Sequence, residues 1–363
     1  MRSSRRRKAA LPREYDRAGD DNRSHSPRIR NASAGGKDAD RSLWSKELRT
    51  QIAARHKHEI LYFEPLLGPD TAVLAAGSPA VAVFVNDQVD ADVIKQLAAG
   101  GTKLVTTRST GYNQIDLAAA KKSGIKVTRV TNYSPNSVAE HAVALLLALN
   151  RKIHRAYNRT RDGNFELDGL MGFDLVNRTV AVLGTGKIGT IFGRIMNGFG
   201  CKVLGYDAHR SPEFEKIGRY AGVEEIQADA DVISLHVPLT SQTKHVVNAR
   251  TIAKVKKGAL LINTSRGGLV DTEAAIEGLK SGQLGGMAID VYENEASLFF
   301  RDLSGSIIED DVIQRLVSFP NVILTAHQAF FTREALEEIM NTTLANVSDF
   351  AAGLPLKNEV KEP

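Results

Sequence analysis

Three residues far apart in the chain have the types needed to act together on a small carboxylic acid: Arg266, Glu295 and His327. A guanidinium presents a planar fork that matches a carboxylate. An imidazole gives or takes a proton near neutral pH, and a carboxylate beside it favours the protonated ring. Each also has a plainer reading. Arg266, between Ser265 and two glycines, reads as a surface charge, Glu293 and Glu295 as solvated acids, and His327 as a hinge residue. Their placement favours the chemistry.

Between Thr179 and His327 lie six short apolar runs, and each stops at a residue with something to offer a dinucleotide or a small acid. The first, Thr179 to Gly184, runs into Gly184-Thr-Gly-Lys-Ile-Gly189 and the helical stretch Lys187 to Gly198. The second, Lys202 to Asp207, closes on an aspartate. The others end at His236, at Arg266, near Asp290 and Glu295, and at His327. Open α/β sheets bind ligands at the carboxyl ends of their strands, so these ends describe one site.

A Gly-x-Gly-x-x-Gly alone is a weak signal, but here it follows a strand and opens a helix. In that context Gly184 permits the tight turn, Gly186 lets backbone approach a pyrophosphate, and Gly189 lets helix and strand pack closely. A carboxylate at Asp207 accepts from an adenosine ribose and repels a 2′-phosphate, which favours NAD over NADP. Arg210 is the residue that keeps NADP open. His236, Val237, Pro238 and the Thr240 to Thr243 stretch stand where a ribose passes, although a histidine in a strand is more often a packed residue. Asp290 is in reach of a nicotinamide amide, with a helix or loop cap as its alternative role.

A second α/β region precedes this one. Glu59 to Phe63, Ala80 to Val85, Lys103 to Thr107 and Lys126 to Val130 read as strands, with helices over Asp92 to Ala99 and Asp116 to Lys122. The turn Ser109 to Asn113 leads into the second helix with Asn113 as expected N-cap and Asp116 three residues on, leaving free backbone N–H groups and a helix N-terminus at a position that suits a substrate carboxylate. A long helix is expected from Ser134-Pro135 or Ser137, where Ser137-Val-Ala-Glu140 spells a capping box, to about Tyr157. Its middle is apolar on all sides and so belongs in an interior, while Arg151, Lys152, Arg155, Arg159 and Arg161 complement its dipole or face a partner subunit. A last helix, Arg333 to Ala352, returns to the first region. The fold class is α/β: a Rossmann-type doubly wound parallel sheet over 134–327, plus a discontinuous flavodoxin-like α/β domain over 42–133 and 328–363.

Composition sets the limits. A length of 363 residues favours two domains, and 42% hydrophobic with 25% charged residues is that of a globular protein. The longest apolar run, Ala142 to Leu149, is too short for a membrane span. A single cysteine, Cys201, rules out an internal disulfide framework and suits a reducing, cytoplasmic setting. Residues 1–41 hold twelve Lys/Arg and six Asp/Glu, a net +6 against −1 for the rest, so the positive charge sits in a basic tail without periodicity, expected to be disordered. It reads as a solvated extension or an organellar or nuclear address. The near-neutral remainder argues against nucleic acid. No Cys cluster or H-E-x-x-H suggests a metal, and His56-Lys-His58 lacks a third ligand nearby.

Arg151-Lys-Ile-His-Arg-Ala-Tyr-Asn-Arg-Thr-Arg-Asp162, the glycine turn, Asn263-Thr-Ser-Arg-Gly267, Asp290-Val-Tyr-Glu-Asn-Glu295 with Leu298-Phe-Phe300, and His327-Gln-Ala-Phe330 together resemble the D-isomer-specific 2-hydroxyacid dehydrogenases, in their fermentative D-lactate dehydrogenase branch. The resemblance covers about 60–360. It implies an NAD-dependent oxidoreductase interconverting D-lactate and pyruvate, with Arg266 on the substrate carboxylate, Glu295 paired to His327, and His327 as acid/base. It implies Thr110, Gly111 and Tyr133 on the carboxylate, and Phe84 and Phe330 along the side-chain pocket, with Phe299 nearby. For the cofactor it points to Lys187, Ile188, Asp207, Val237, Pro238, Thr243, Thr264 and Asp290, with Ser265 alongside, and it implies a homodimer. Dehydrogenases of bulkier D-2-hydroxy acids and NAD(H)-binding transcriptional corepressors share the fold. The family's first strand has no apolar counterpart before Leu43-Trp44, and only residues 28–34 are placed to substitute for it.

Overall fold

The computed structural model describes residues 28–32, 58–63 and 65–361. They form two parallel sheets. The first contains β1 (Arg28–Ala32), β2 (Glu59–Phe63), β3 (Ala80–Val83), β4 (Leu104–Thr107) and β5 (Lys126–Thr128), in the order β2-β1-β3-β4-β5. The second contains β6 (Thr179–Leu183), β7 (Lys202–Tyr206), β8 (Arg219–Tyr220), β9 (Val232–Leu235), β10 (Ala259–Asn263), β11 (Leu284–Ile289) and β12 (Val322–Leu324), in the order β12-β11-β10-β9-β6-β7-β8. In both, the chain starts inside the sheet and winds outward in two directions, which leaves a crevice at the carboxyl ends of the strands where it reverses.

Residue alternation explains how each sheet is covered on both faces. Val81, Val83, Val105 and Val127 bury one face of the first sheet against α1 (Ala91–Ala99) and α2 (Leu117–Lys122). Ala80, Ala82 and Leu104 bury the other against Leu336, Ile339, Met340 and Leu344 of α11 (Arg333–Ala351). In the second sheet Val180 and Val182 point toward α3 (Pro135–Arg151) and α5 (Lys187–Gly198), and Ala181 points the opposite way. A fully buried leucine such as Leu146 on α3 contributes roughly 1.5–3 kcal/mol.

The sequence expectations are met for most elements and corrected at four. The dinucleotide-type sheet has seven strands rather than six, because the two-residue β8 carries no apolar run. Tyr220 is held there by its hydroxyl, which accepts from the Ser211 N–H at 2.6 Å, and by packing on Phe214. Helix α2 is capped by Asp116, whose carboxylate accepts from Ala119 N–H at 2.8 Å, and not by Asn113. Asn113 and Gln114 form a turn closed by the Ile115 N–H on the Tyr112 carbonyl at 3.0 Å, and an isolated bridge between Ile115 and Val89 follows before the helix starts. Ser134 caps α3, with Pro135 following, and Ser137 turns inward, so no box forms with Glu140. The helix does not reach Tyr157 unbroken. Lys152 adopts a left-handed φ of 50° and starts α4 (Ile153–Arg161) in a new direction.

The fourth difference lies at β1. Arg28–Ala32, polar in sequence and expected as part of a tail, is a central strand with Arg28 in register with Glu59 on one side and Ile29 with Ala80 on the other. Its place follows from backbone pairing on both edges rather than from an apolar pattern. The rest of the basic tail and His56 lie outside the described residues, and His58 Nε2 meets Ser348 Oγ at 2.7 Å.

Candidate active site

The glycine turn is built as its three glycines require. Gly184 has φ +98°, and a Cβ there would stand 2.5 Å from the His236 carbonyl carbon on the adjoining β9 loop. A Cβ on Gly189 would lie 1.9 Å from the Gly184 carbonyl oxygen, so no other residue fits between helix and strand. Gly186 faces open space, with nothing within 4 Å of an added Cβ, which leaves its backbone free for a phosphate at the start of α5. Asp207 is fixed against this turn: its carboxylate accepts from the Thr185 N–H at 2.6 Å and from the His209 N–H at 2.9 Å. Arg210 stacks over the Tyr220 ring at 5.2 Å. Lys187 reaches across to Asn132 Oδ1 at 3.2 Å.

Beside the turn, Tyr133, Val138, Ile188, His236, Thr264, Ser265, Arg266, His327, Ala329 and Phe330 line a cavity of about 80 Å³. Thr264, which lines the cavity, has its Oγ1 buried without a hydrogen-bond partner among the described residues, an unmet polar group at this wall. Ser265 Oγ donates to the Val237 carbonyl at 2.7 Å, and Thr243 Oγ1 to the Pro238 carbonyl at 2.6 Å, so these residues shape the cofactor-side loop. His236 packs on Phe192 and meets Ser234 Oγ at 2.9 Å, the packed role expected of it, yet it also borders the cavity. Burial pushes its imidazole down to about 3, so it is neutral there.

The three chemical residues converge. His327 Nδ1 lies 2.8 Å from Glu295 Oε1, and the other Glu295 oxygen accepts from the Tyr292 N–H at 3.1 Å. With Nδ1 so engaged, Nε2 is the nitrogen left for a ligand. Arg266 caps the short turn after β10, where Asn263 Nδ2 donates to its carbonyl at 2.9 Å. Gly267 follows because a Cβ there would stand 2.1 Å from the Tyr292 carbonyl carbon. Across the crevice, Gly111 comes so close that an added Cβ would lie 2.9 Å from Arg266 Nη2. The N–H groups of Thr110 and Gly111 make no hydrogen bond among the described residues. Burial, with the charge of Asp290, pushes the Tyr133 phenol up against the opposing pull of Arg266, so it keeps a proton to donate.

Three placements differ from the sequence expectation or choose within it. Asp290 does not border the cavity; its buried carboxylate accepts from the Gln328 and Ala329 N–H groups at 2.8 Å each, the loop-capping alternative. Phe299 points into a separate cluster with Tyr292 and Ile313. Its neighbour Phe300, at φ +61°, instead meets Phe84 at 5.5 Å and the His327 ring at 6.1 Å. Phe84 stands behind Phe330, 5.8 Å away, and not on the cavity surface itself. Val138, on the first turn of α3, was not foreseen, since its apolar side chain reads as core. Among the described residues no group of three or more His, Cys, Asp or Glu could hold a metal ion, and no helix is long and apolar enough to cross a membrane.

A dinucleotide turn at the switch point of a doubly wound sheet, facing a carboxylate fork and an acid-paired imidazole, defines a nicotinamide-dependent oxidoreductase of small acids. The chain belongs to the D-isomer specific 2-hydroxyacid dehydrogenase family, whose NAD binding domain matches residues 143–329. Its cofactor is NAD. It is 52% identical over 311 residues to 2-hydroxyacid dehydrogenase homolog 1 of Schizosaccharomyces pombe, covering 85% of this chain and 94% of that one. It is 44% identical over 318 residues to a D-lactate dehydrogenase of Escherichia coli, covering 87% and 97%. A solved pyruvate reductase of Chlamydomonas reinhardtii superposes with a TM-score of 0.85 at 40% identity, covering 92% and 98%.

Proposed function

We propose that this chain interconverts D-lactate and pyruvate, with His327 as acid/base, Glu295 as its partner and Arg266 as the carboxylate-binding residue. The observation that carries the reading is the His327–Glu295 pair at 2.8 Å on the wall of a cavity that Arg266 also lines. Arg266 offers its fork, and the free N–H groups of Thr110 and Gly111 with the Tyr133 hydroxyl complete a nest for the same carboxylate. His327 Nε2 then stands where the C2 oxygen lies, donating a proton when pyruvate is reduced and accepting it when lactate is oxidised. The nicotinamide of bound NAD supplies or receives the hydride at C2. Gly184, Gly186, Gly189, Lys187, Ile188, Asp207, Thr264 and the Val237–Thr243 loop would hold that cofactor. The names of relatives that act on D-lactate or pyruvate support this substrate.

Phe330 on the cavity wall, packed against Phe84 with Phe300 behind it, crowds the substrate side with aromatic rings and favours a three-carbon acid over bulkier ones. A homodimer is part of the proposal, and so is a cytoplasmic location, which the single free and buried Cys201 suits. The test is steady-state turnover of pyruvate and a panel of larger 2-keto acids, with NADH and NADPH compared. Preference for pyruvate with NADH is expected. Faster turnover of a branched or aromatic keto acid would replace the substrate assignment, and NADH binding with no turnover of any keto acid would refute the activity.

A further inference from the structure

The turn that carries His327 is shaped by one residue. His327 donates its backbone N–H to the Asp290 carbonyl at 2.7 Å, and the next two N–H groups donate to the Asp290 carboxylate. The turn needs this support, since His327 holds a left-handed φ of 54°. Asp290 in turn is 0% exposed, and a carboxylate so placed is tolerable only if donors surround it. Burial raises its carboxyl, but hydrogen bonds from His141, Thr325, Ala329 and Gln328 outweigh that and hold it below its ordinary value.

The order of protons in this network is determined. Thr325 Oγ1 lies 2.5 Å from Asp290 Oδ1. An ionised carboxylate only accepts, so the one hydroxyl proton goes to Asp290 and Thr325 Oγ1 is left as an acceptor. His141 Nε2 lies 3.1 Å from that oxygen and 3.5 Å from Asp290 Oδ1. The nitrogen must therefore carry a hydrogen, giving a directed chain from His141 through Thr325 to Asp290. His141 stands on α3, beyond the cavity lining, and the same helix joins the passages between the two sheets: Ser137 Oγ meets Thr332 Oγ1, the cap of α11, at 2.8 Å.

We propose that His141 is a positioning residue, whose Nε2–H acts through Thr325 and Asp290 to fix the turn that sets His327 against Glu295 and toward the cavity. The inference rests on the reading of His327 as the acid/base. It is tested with His141→Ala, His141→Gln and Thr325→Val beside the parent. The measurements are kcat, KM for pyruvate, NADH affinity by fluorescence, and the ring resonances of His327 by NMR without substrate. His141→Ala is expected to lower kcat by about 10- to 100-fold, as a misplaced reacting group does, with NADH affinity within about 2-fold of the parent. His141→Gln, whose amide nitrogen donates from the place of Nε2, is expected to restore most of the rate and the resonances. Thr325→Val, which keeps the shape and removes the relay hydroxyl, is expected to reproduce the loss even where the alanine variant fails to fold. Parental kcat in Thr325→Val, or a glutamine variant as slow as alanine with unmoved His327 resonances, overturns the inference. If the parent reduces no 2-keto acid, the proposed activity falls, and the resonances alone decide the role of His141.

Discussion

At the scale of single residues, the site divides its work by hydrogen-bonding capacity. Glu295 spends one oxygen on His327 Nδ1 and the other on the Tyr292 N–H, so it holds the imidazole rather than meeting substrate. Replacing His327, the proposed acid/base, by alanine is expected to lower kcat for pyruvate reduction by about 10²–10⁴. NADH binding, read by fluorescence, should survive; an unchanged kcat would refute the assignment. Gly111 offers a subtler test. An added Cβ would press on Arg266 Nη2, the far end of a flexible side chain, so the fold yields easily but the guanidinium is displaced. Gly111→Ala is expected to raise KM for pyruvate by roughly 10-fold, the loss of about 1.4 kcal/mol of carboxylate binding, with little change in melting temperature. A large drop in melting temperature with normal KM would contradict that picture.

At the scale of elements, legibility in the sequence follows from how a segment is held. Strands with continuous apolar runs, such as Val180 to Leu183 or Leu260 to Ile262, are readable because both faces are buried. The glycine turn is readable because three positions forbid a side chain or need open backbone. Strand β1 and strand β8 are not, since pairing and a single tyrosine hold them. Nor can adjacent Phe299 and Phe300 be told apart before the loop's left-handed residue is known. Residue type brought Arg266, Glu295 and His327 to notice; their convergence required the folded sheet ends. The turn after β3 shows an unforeseen device. Asp87 accepts from the Phe84 N–H at 2.6 Å and the Leu67 N–H at 2.8 Å, yet burial, stronger than these bonds and the charge of Arg108, raises its carboxyl from 3.8 to about 6. The folded chain thus binds this proton more tightly than the unfolded one. The group's contribution to stability is fullest below about pH 3.8 and is lost as pH rises to about 6, a change on the order of 3 kcal/mol. Urea unfolding of the parent and of Asp87→Asn should therefore show a stability difference that drifts against the parent across that window. A difference independent of pH would show that Asp87 titrates normally.

At the scale of the molecule, the proposed site lies apart from a face whose apolar side chains meet water. Arg266, Glu295, His327 and the glycine turn, the parts of the proposed site, all come from a single chain. The segment after α4 nevertheless holds Phe165, Leu167 and Met171 out at 76%, 83% and 87% exposure, beside Ile153 and Tyr157 on the helix. The segment is tied down. Arg159 Nη1 donates to the Asp168 carbonyl at 2.6 Å and Lys152 Nζ to the Met171 carbonyl at 3.0 Å. Ordered apolar side chains facing water, rimmed by arginines, mark an association surface. A second copy of the chain is the occupant most consistent with the proposed dimer, because it would cover the same patch on both partners about a twofold axis. Substitution of both Phe165 and Leu167 by serine removes exposed apolar area without opening the core, so the fold is expected to change by no more than about 0.5 kcal/mol. Sedimentation equilibrium at micromolar concentration should then show the parent at twice the chain mass and the double variant at the chain mass, with NADH affinity retained. A parent that sediments as a single chain would remove the dimer, and a variant that remains paired would move the interface to another face.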